Sequence, residues 1–131
     1  MLPIRLMLVA GSLLAVATAA HAQDAVKVSP HLYKVLLEND QVRVIEFRAK
    51  PGQKEAMHSH PAAVVYLLST GKSRSTTPDG RSEIFEGKAG TSVWTEPMTH
   101  SWETMGPGEE HTIMVEMKKP AAAAAPAKKK P

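Results

Sequence analysis

The chain of 131 residues has 43% hydrophobic, 22% charged and 5% aromatic side chains, which fits one modest globular domain and excludes a multidomain enzyme. Five lysines lie in the last fourteen residues, whereas residues 24–117 carry ten basic and thirteen acidic side chains, a net charge of −3 that disfavours nucleic-acid binding. The sequence has no cysteine, so disulfides and thiolate metal sites are excluded, and a metal must use nitrogen or oxygen ligands, or Met.

The first 22 residues have the pattern of a secretory signal peptide. Arg5 gives a positive start, residues 6–20 form an apolar run, and Ala20-His21-Ala22 supplies small residues for signal peptidase. A membrane anchor is disfavoured because these fifteen apolar residues fall short of the roughly 20 needed to span a bilayer. We therefore expect cleavage after Ala22 and a mature chain without a membrane span, in the periplasm or secreted.

From Gln23 onward the chain consists of short β-type runs separated by turn residues. This pattern predicts an all-β fold, a small antiparallel β-barrel or jelly roll, as a single domain over residues 23–119. Alternating side chains predict a first hairpin with its turn at Asn39-Asp40. About eight strands are predicted, enough to enclose a ligand-sized interior, over residues 33–38, 42–49, 62–68, 73–77, 83–86, 92–95, 100–104 and 111–117.

The end of the chain differs from this domain in composition. Residues 120–131 contain Ala, Pro and Lys and no large apolar side chain, so we expect a disordered tail. Its lysines are interpreted as solvated charges rather than as contacts to anionic lipid or nucleic acid.

Three histidines are the candidate metal ligands. His58 and His60 are separated by one residue, which in an extended strand projects both imidazoles from one face. His100 begins a later strand, and closing a barrel could bring it opposite the pair to form a three-nitrogen site with open positions. Neutral imidazoles suit iron, zinc, copper or nickel and tolerate manganese.

The residues around these histidines resemble two motifs of the cupin superfamily. The first motif, which runs Gly, five residues, His-x-His, three or four residues, Glu, six residues, Gly, is similar to Gly52, His58, His60, Val64 and Gly71. The second motif is similar to Gly90, Pro97, His100 and Thr104, although Pro97 lies closer to the histidine than the pattern prescribes. The resemblance covers about residues 33–117 and is strongest to small single-domain bacterial cupins, including those assigned to β-alanine degradation.

The resemblance implies a metal centre of unusual charge. Val64 stands where the family has a glutamate ligand, so three neutral histidines would leave a divalent site at +2, which favours an anionic ligand and strengthens Lewis acidity. Cupin dioxygenases that act on thiols also have three-histidine centres. Glu96 or Glu103 could replace the missing carboxylate, but Glu103 has the opposite strand parity to His100 and should point away.

Strand parity also predicts a substrate pocket. Val64 and Tyr66 share parity with His58 and His60 and should line the interior, as should Leu68, interpreted as core. Trp102 and Thr104 share parity with His100, so we expect them beside the metal too. Buried Tyr and Trp have polar groups that can orient a small ligand.

These observations lead to one functional hypothesis and two alternatives. The first is an exported small cupin that binds a divalent metal, iron before zinc, manganese, nickel or copper, and acts as a dioxygenase-like oxidoreductase on a small organic substrate. The alternatives are a non-catalytic module that binds a small molecule or the metal itself, and a metal-assisted isomerase. The resemblance also implies a homodimer that protects exposed strand edges.

Overall fold

The structure, a computed structural model, describes residues 23–118. The predicted signal peptide (residues 1–22) and the predicted tail (residues 120–131) lie outside the described residues. One short helix is followed by nine strands: α1 (Ala25–Val28), β1 (Tyr33–Glu38), β2 (Val42–Ala49), β3 (Lys54–His60), β4 (Ala63–Leu67), β5 (Gly71–Thr76), β6 (Ser82–Gly87), β7 (Ser92–Thr95), β8 (Met98–Gly106) and β9 (Glu110–Met117). No helix among the described residues is long and apolar enough to cross a bilayer.

The strands form two antiparallel sheets that enclose one core. The five-stranded sheet has the order β1-β2-β9-β4-β7, and the four-stranded sheet has the order β3-β8-β5-β6. The inner face of β2 carries Ile45, Phe47 and Ala49, which pack with Leu32 and Tyr33 as the main apolar cluster. The predicted all-β jelly roll is therefore confirmed.

The largest departure from the predicted strands lies between His60 and Ala63. The predicted inward faces assume that strand parity continues from His60 to Leu68, but β3 ends at His60 in the four-stranded sheet and β4 begins at Ala63 in the five-stranded sheet. Pro61 has no backbone N–H to donate and therefore does not continue a strand ladder. This change of sheet separates β3 from β4, so that the domain has nine strands, and it changes which side chains of β4 face inward.

A β-bulge in β3 also affects the interior. Glu55 pairs with Trp102 and His58 pairs with His100, so three steps along β3 correspond to two along β8. The extra residue brings Glu55 and His58 onto the same inner face, although their sequence separation would place them on opposite faces of a regular strand. Both side chains are buried.

Two of the motif glycines form turns that only glycine adopts easily. Gly52, before β3, has a φ of 87°, and Gly90, before β7, has a φ of 84°. Because L-residues rarely adopt positive φ, these glycines allow the tight turns that lead into their strands. The spacing in the motif thus reflects backbone geometry at Gly52 and Gly90.

Candidate metal centre

The structure brings together the three histidines predicted as metal ligands. His58 and His60 lie on β3 and His100 lies opposite His58 on the neighbouring strand β8. All three are buried, and one ring nitrogen from each lies within 4.8 Å of the others. Among the described residues no carboxylate joins this group. The centre is therefore a cluster of three imidazoles supplied by two adjacent strands.

Hydrogen bonds at Nδ1 orient each ring. His58 Nδ1 donates to the Ala56 carbonyl at 2.7 Å, and His60 Nδ1 donates to Glu116 Oε1 at 2.8 Å. His100 Nδ1 lies 2.9 Å from Ser75 Oγ. Since a carbonyl and a carboxylate can only accept, the Nε2 atoms of His58 and His60 keep their lone pairs. His58 Nε2 is buried and has no hydrogen-bond partner, which is the state of a nitrogen positioned for a metal.

Burial keeps the imidazoles of His58 and His100 neutral. It lowers the pKa of His58, and it lowers the pKa of His100 to about 3 together with the repulsion from His58 and His60. A proton on Nε2 would block metal binding, so a lowered pKa leaves the ligand available at neutral pH.

Glu116 connects the cluster to the N-terminal part of the domain. Its side chain is only 2% exposed and accepts from His60 and, at Oε2, from Arg43 Nε at 2.7 Å. Arg43 Nη1 in turn donates to Asp24 Oδ2 at 2.6 Å. A carboxylate that accepts from the far nitrogen of a ligand histidine fixes the ring orientation and raises its basicity. Glu116 therefore has the geometry of a positioning residue for His60.

The donor set fits a transition metal. Three imidazole nitrogens without a carboxylate suit iron, zinc, nickel or copper better than hard ions that prefer oxygen ligands. Neither of the two suggested replacement acids is near: Glu96 accepts from Trp94 Nε1 at 2.6 Å, and Glu103 pairs with Arg74 at 3.0 Å. Glu103 thus points away from the centre, as its parity predicts.

A cavity of about 300 Å³ adjoins the cluster between the two sheets. His60 and His100 form part of its wall, so the metal centre opens onto it. Most of the remaining wall is apolar, including Phe47, Val65, Leu67, Phe85 and Met114. Such a cavity is large enough for a small organic ligand.

The predicted pocket residues divide into two groups. Trp102 lines the cavity, and Thr104 is buried beside it with its hydroxyl donating to Glu110 Oε2 at 2.7 Å. The expectation that Val64 and Tyr66 line the interior is wrong. In β4 the cavity-facing side chains are Val65 and Leu67, because the chain changes sheet after His60 and parity does not continue.

Tyr66 and Leu68 are each 42% exposed, so Leu68 is not a core residue either. The second of the two spacings that the motif allows after His60, four residues, leads to Val65. Val65, and not Val64, therefore lines the cavity.

Three carboxyl groups line the cavity, those of Glu55, Glu83 and Glu110, and sequence reasoning missed all three. Glu55 lines the wall, and burial together with the charge of Glu110 raises its pKa to about 7. Glu110 Oε2 accepts from Trp102 Nε1 at 3.0 Å as well as from Thr104. Parity along β9 offered a signal for Glu110, since it shares a face with the inward residues Thr112 and Met114. The bulge in β3 left no such signal for Glu55.

Solved structures with this architecture are known. A cupin domain from Bordetella pertussis Tohama I shares 26% sequence identity in a match that covers 75% of this chain and 97% of that one, with a TM-score of 0.62. An uncharacterized conserved protein with a double-stranded beta-helix domain from Klebsiella pneumoniae matches at 24% identity, 65% and 74% coverage and a TM-score of 0.53.

An RmlC-like cupin family protein from Methanocaldococcus jannaschii matches at 11% identity, with 65% and 77% coverage and a TM-score of 0.53. No family model and no curated protein matches the chain. The M. jannaschii and K. pneumoniae likenesses concern the fold, whereas the B. pertussis domain also shares about a quarter of its aligned residues and is covered almost completely. Together with the two-sheet architecture, the likeness to the B. pertussis domain identifies the chain as a small single-domain member of the cupin superfamily.

Proposed function

We propose that this cupin binds a divalent metal, iron first, through His58, His60 and His100 and acts as a dioxygenase-like oxidoreductase on a small organic substrate. The observation that supports it most is the unpartnered, buried Nε2 of His58 in a cluster whose Nδ1 atoms are all hydrogen-bonded. A bound metal of this kind supplies Lewis acidity and one-electron redox chemistry.

The residues of the chain provide orientation and a largely apolar surface beside the metal centre. Glu116 and Ser75 hold the rings of His60 and His100, and the apolar wall of the cavity can contact the carbon skeleton of a substrate. Trp102 lines the cavity next to His100, with ring centroids 5.4 Å apart, and so limits the orientations that a substrate can take. Proximity and orientation at one centre are the main contribution that such a cavity makes to rate.

The proposal includes export with cleavage after Ala22, which rests on the signal-peptide pattern of residues 1–22. It also includes a homodimer, supported by an apolar row on the outer face of the five-stranded sheet. The row consists of directly paired residues from all five strands: Leu37, Val44, Val115, Val64 and Trp94. Leu37 and Trp94 are half exposed, and an exposed apolar row of this kind is typical of a protein interface. Sedimentation of Trp94→Lys, expected to be monomeric, tests it.

The deciding experiment is elemental analysis of the protein from the periplasmic fraction of its source. We expect about one iron per chain, lost in the double variant His58→Ala, His60→Ala and retained in His111→Ala. His111 is the matched control because it binds Glu46 at 2.8 Å outside the cluster. Protein without metal would contradict the proposal and favour the non-catalytic binding module.

Activity is then measured as oxygen consumption with thiol, enol and phenolic compounds. We expect His100→Ala to abolish it, because two remaining imidazoles would not retain the metal. Normal turnover in this variant would show that the assigned ligands are wrong. Turnover without oxygen consumption would favour the isomerase alternative.

A further inference from the structure

The residues directly after the predicted cleavage site are built into the fold beside the histidines. Gln23 O accepts from Ser59 N at 2.8 Å, and Asp24 forms an isolated parallel β-bridge with Ser59. Ser59 lies between His58 and His60 on β3, at one edge of the four-stranded sheet. The start of the domain therefore supplies the hydrogen-bond acceptor for an edge amide between two of the candidate ligands.

This N-terminal segment is also anchored in the core. Asp24 Oδ1 accepts from Val26 N at 2.8 Å and so caps α1. The Ala25 side chain of α1 is fully buried in the main apolar cluster, and α1 contacts β3. The segment is thus held in a fixed position against β3, and we refer to residues 23–28 as the N-terminal clamp.

A chain of charged side chains connects the N-terminal clamp with His60. Arg43 Nη1 donates to Asp24 Oδ2 at 2.6 Å, and Arg43 Nε donates to Glu116 Oε2 at 2.7 Å. Glu116 Oε1 in turn accepts from His60 Nδ1 at 2.8 Å. The side chains of Arg43 and Glu116 are 15% and 2% exposed, so salt and water screen these contacts little. The clamp therefore reaches the His-x-His motif twice, through the backbone at Ser59 and through side chains at His60.

The charge of Asp24 affects how strongly His60 can bind a cation. Arg43 has two carboxylate partners, and Asp24 neutralises part of its charge. Without Asp24 the guanidinium would polarise Glu116 more strongly, and Glu116 would become a weaker acceptor for His60 Nδ1. A weaker acceptor at Nδ1 makes Nε2 of the same ring a less basic metal ligand.

We propose that the N-terminal clamp positions the metal centre, with Asp24 acting on His60 through the two side chains between them. This inference rests on the proposed metal centre. Under the proposed cleavage after Ala22 the clamp is the first segment of the mature chain, so the new N-terminus contributes to metal affinity.

The test separates the charge of Asp24 from its role as a helix cap. Asn caps a helix about as well as Asp, so Asp24→Asn keeps the cap of α1 but removes the ion pair with Arg43. Dissociation constants for Co²⁺ are measured by chelator competition in the unsubstituted protein, Asp24→Asn and Asp24→Ala. We expect both variants to lose about fivefold in affinity, less than the roughly 10- to 100-fold effect of removing the direct partner of a ligand histidine.

Asp79→Asn is the matched control. Asp79 also accepts from an arginine, Arg81, at 2.7 Å, but in the turn between β5 and β6. Affinity for Co²⁺ should be unchanged in this variant. If Asp24→Ala loses affinity and Asp24→Asn does not, Asp24 acts only as a helix cap and the inference is wrong.

The double variant Asp24→Asn, Glu116→Gln tests the route of the effect. Glu116→Gln removes the carboxylate between Arg43 and His60, so that adding Asp24→Asn should cause no further loss of Co²⁺ affinity. Losses that multiply in the double variant would mean that Asp24 acts on the metal by another route, contrary to the inference.

Linkage requires that the metal stabilises the clamp in return, which can be measured without any substitution. Hydrogen exchange of the Ser59 amide should slow about fivefold or more when Zn²⁺ is bound. The control is the Thr77 amide, which donates to Arg81 O at 2.9 Å and should keep its exchange rate. An unchanged rate at Ser59 in protein that binds Zn²⁺ would overturn this inference alone. If neither Zn²⁺ nor Co²⁺ binds, the proposed metal centre fails as well.

Discussion

The two sheets contribute different parts of the candidate site. The four-stranded sheet carries all three histidines, on β3 and β8, and Ser75 on β5. The five-stranded sheet carries two acids of the site: Glu116, which accepts from His60, and Glu110, which lines the cavity and accepts from Trp102. The ligand set is local to two paired strands, whereas its orientation depends on a strand of the opposite sheet.

This division shows that the metal centre also acts as a link between the sheets. His60 on β3 and Glu116 on β9 are 56 positions apart in sequence, and their hydrogen bond spans the interior. A contact of this kind forms only when both sheets have assembled. Substitutions in the five-stranded sheet should therefore change metal affinity without removing a ligand.

The largest effect is expected from Glu116→Ala. The substitution leaves His60 Nδ1 without its acceptor and removes one of the two carboxylates that pair with Arg43. We expect metal affinity to fall roughly 10- to 100-fold, which is the usual effect of removing the hydrogen-bond partner of a ligand histidine. The free energy of unfolding should fall by about 3 kcal/mol, because Arg43 loses a buried partner. Chelator competition and urea denaturation measure the two quantities.

The control for Glu116→Ala is Glu46→Ala. Glu46 also accepts from a histidine, His111, at 2.8 Å, but this histidine is not in the cluster. Metal affinity should be unchanged in Glu46→Ala. If Glu116→Ala and Glu46→Ala lose the same amount of metal affinity, the effect of Glu116 does not depend on its hydrogen bond with His60.

The sequence predicted the local features of this site well. The turn glycines and the alternating residues located most strands. The His-x-His spacing placed two ligands on one face, because residues two positions apart share a face of a regular strand. His100 was predicted from its place at the start of a later strand, which barrel closure could bring opposite the pair, and the motif resemblance supported it. His100 lies close to His58 and His60 because β3 pairs with β8. The family motifs imply this strand pairing, whereas the composition of the chain does not.

The features that were missed depend on contacts between distant segments. The change of sheet between His60 and Ala63 reversed the inward parity of β4, and the bulge in β3 turned Glu55 inward. Both depend on which strands pair, and sequence periodicity over a few residues does not contain that information. Glu116 was missed for the same reason, since its partners lie on β2 and β3.

The next effect concerns Glu55 and the pH dependence of stability. Burial and the charge of Glu110 raise the pKa of Glu55 to about 7 in the folded protein, from about 4.5 when unfolded. Between these values the folded state binds a proton that the unfolded state has lost, so stability is lost as the pH rises through 7. Glu55→Gln mimics the protonated acid. Relative to the unsubstituted protein it should gain about 3 kcal/mol in unfolding free energy between pH 4.5 and pH 8.

The measurement is urea denaturation of metal-free protein at a series of pH values. The lowered pKa values of His58 and His100 make both proteins less stable below about pH 6.5, and this contribution cancels in the difference. Glu83→Gln, at an exposed position, should follow the unsubstituted protein at every pH. Parallel curves for Glu55→Gln and the unsubstituted protein would show that the carboxyl group titrates normally.

The smallest effect distinguishes the two faces of β4. Val65 faces the cavity and Val64 belongs to the outer row, although the two are adjacent in sequence. Val65→Glu introduces a carboxylate on the side of the histidines, and an oxygen ligand favours manganese. We expect the affinity for Mn²⁺ relative to Co²⁺ to rise about tenfold, which corresponds to about 1.4 kcal/mol. Val64→Glu adds the same group on the outer face and should leave this ratio unchanged. A rise in Val64→Glu alone would mean that parity does continue from His60 into β4, contrary to the change of sheet at Pro61.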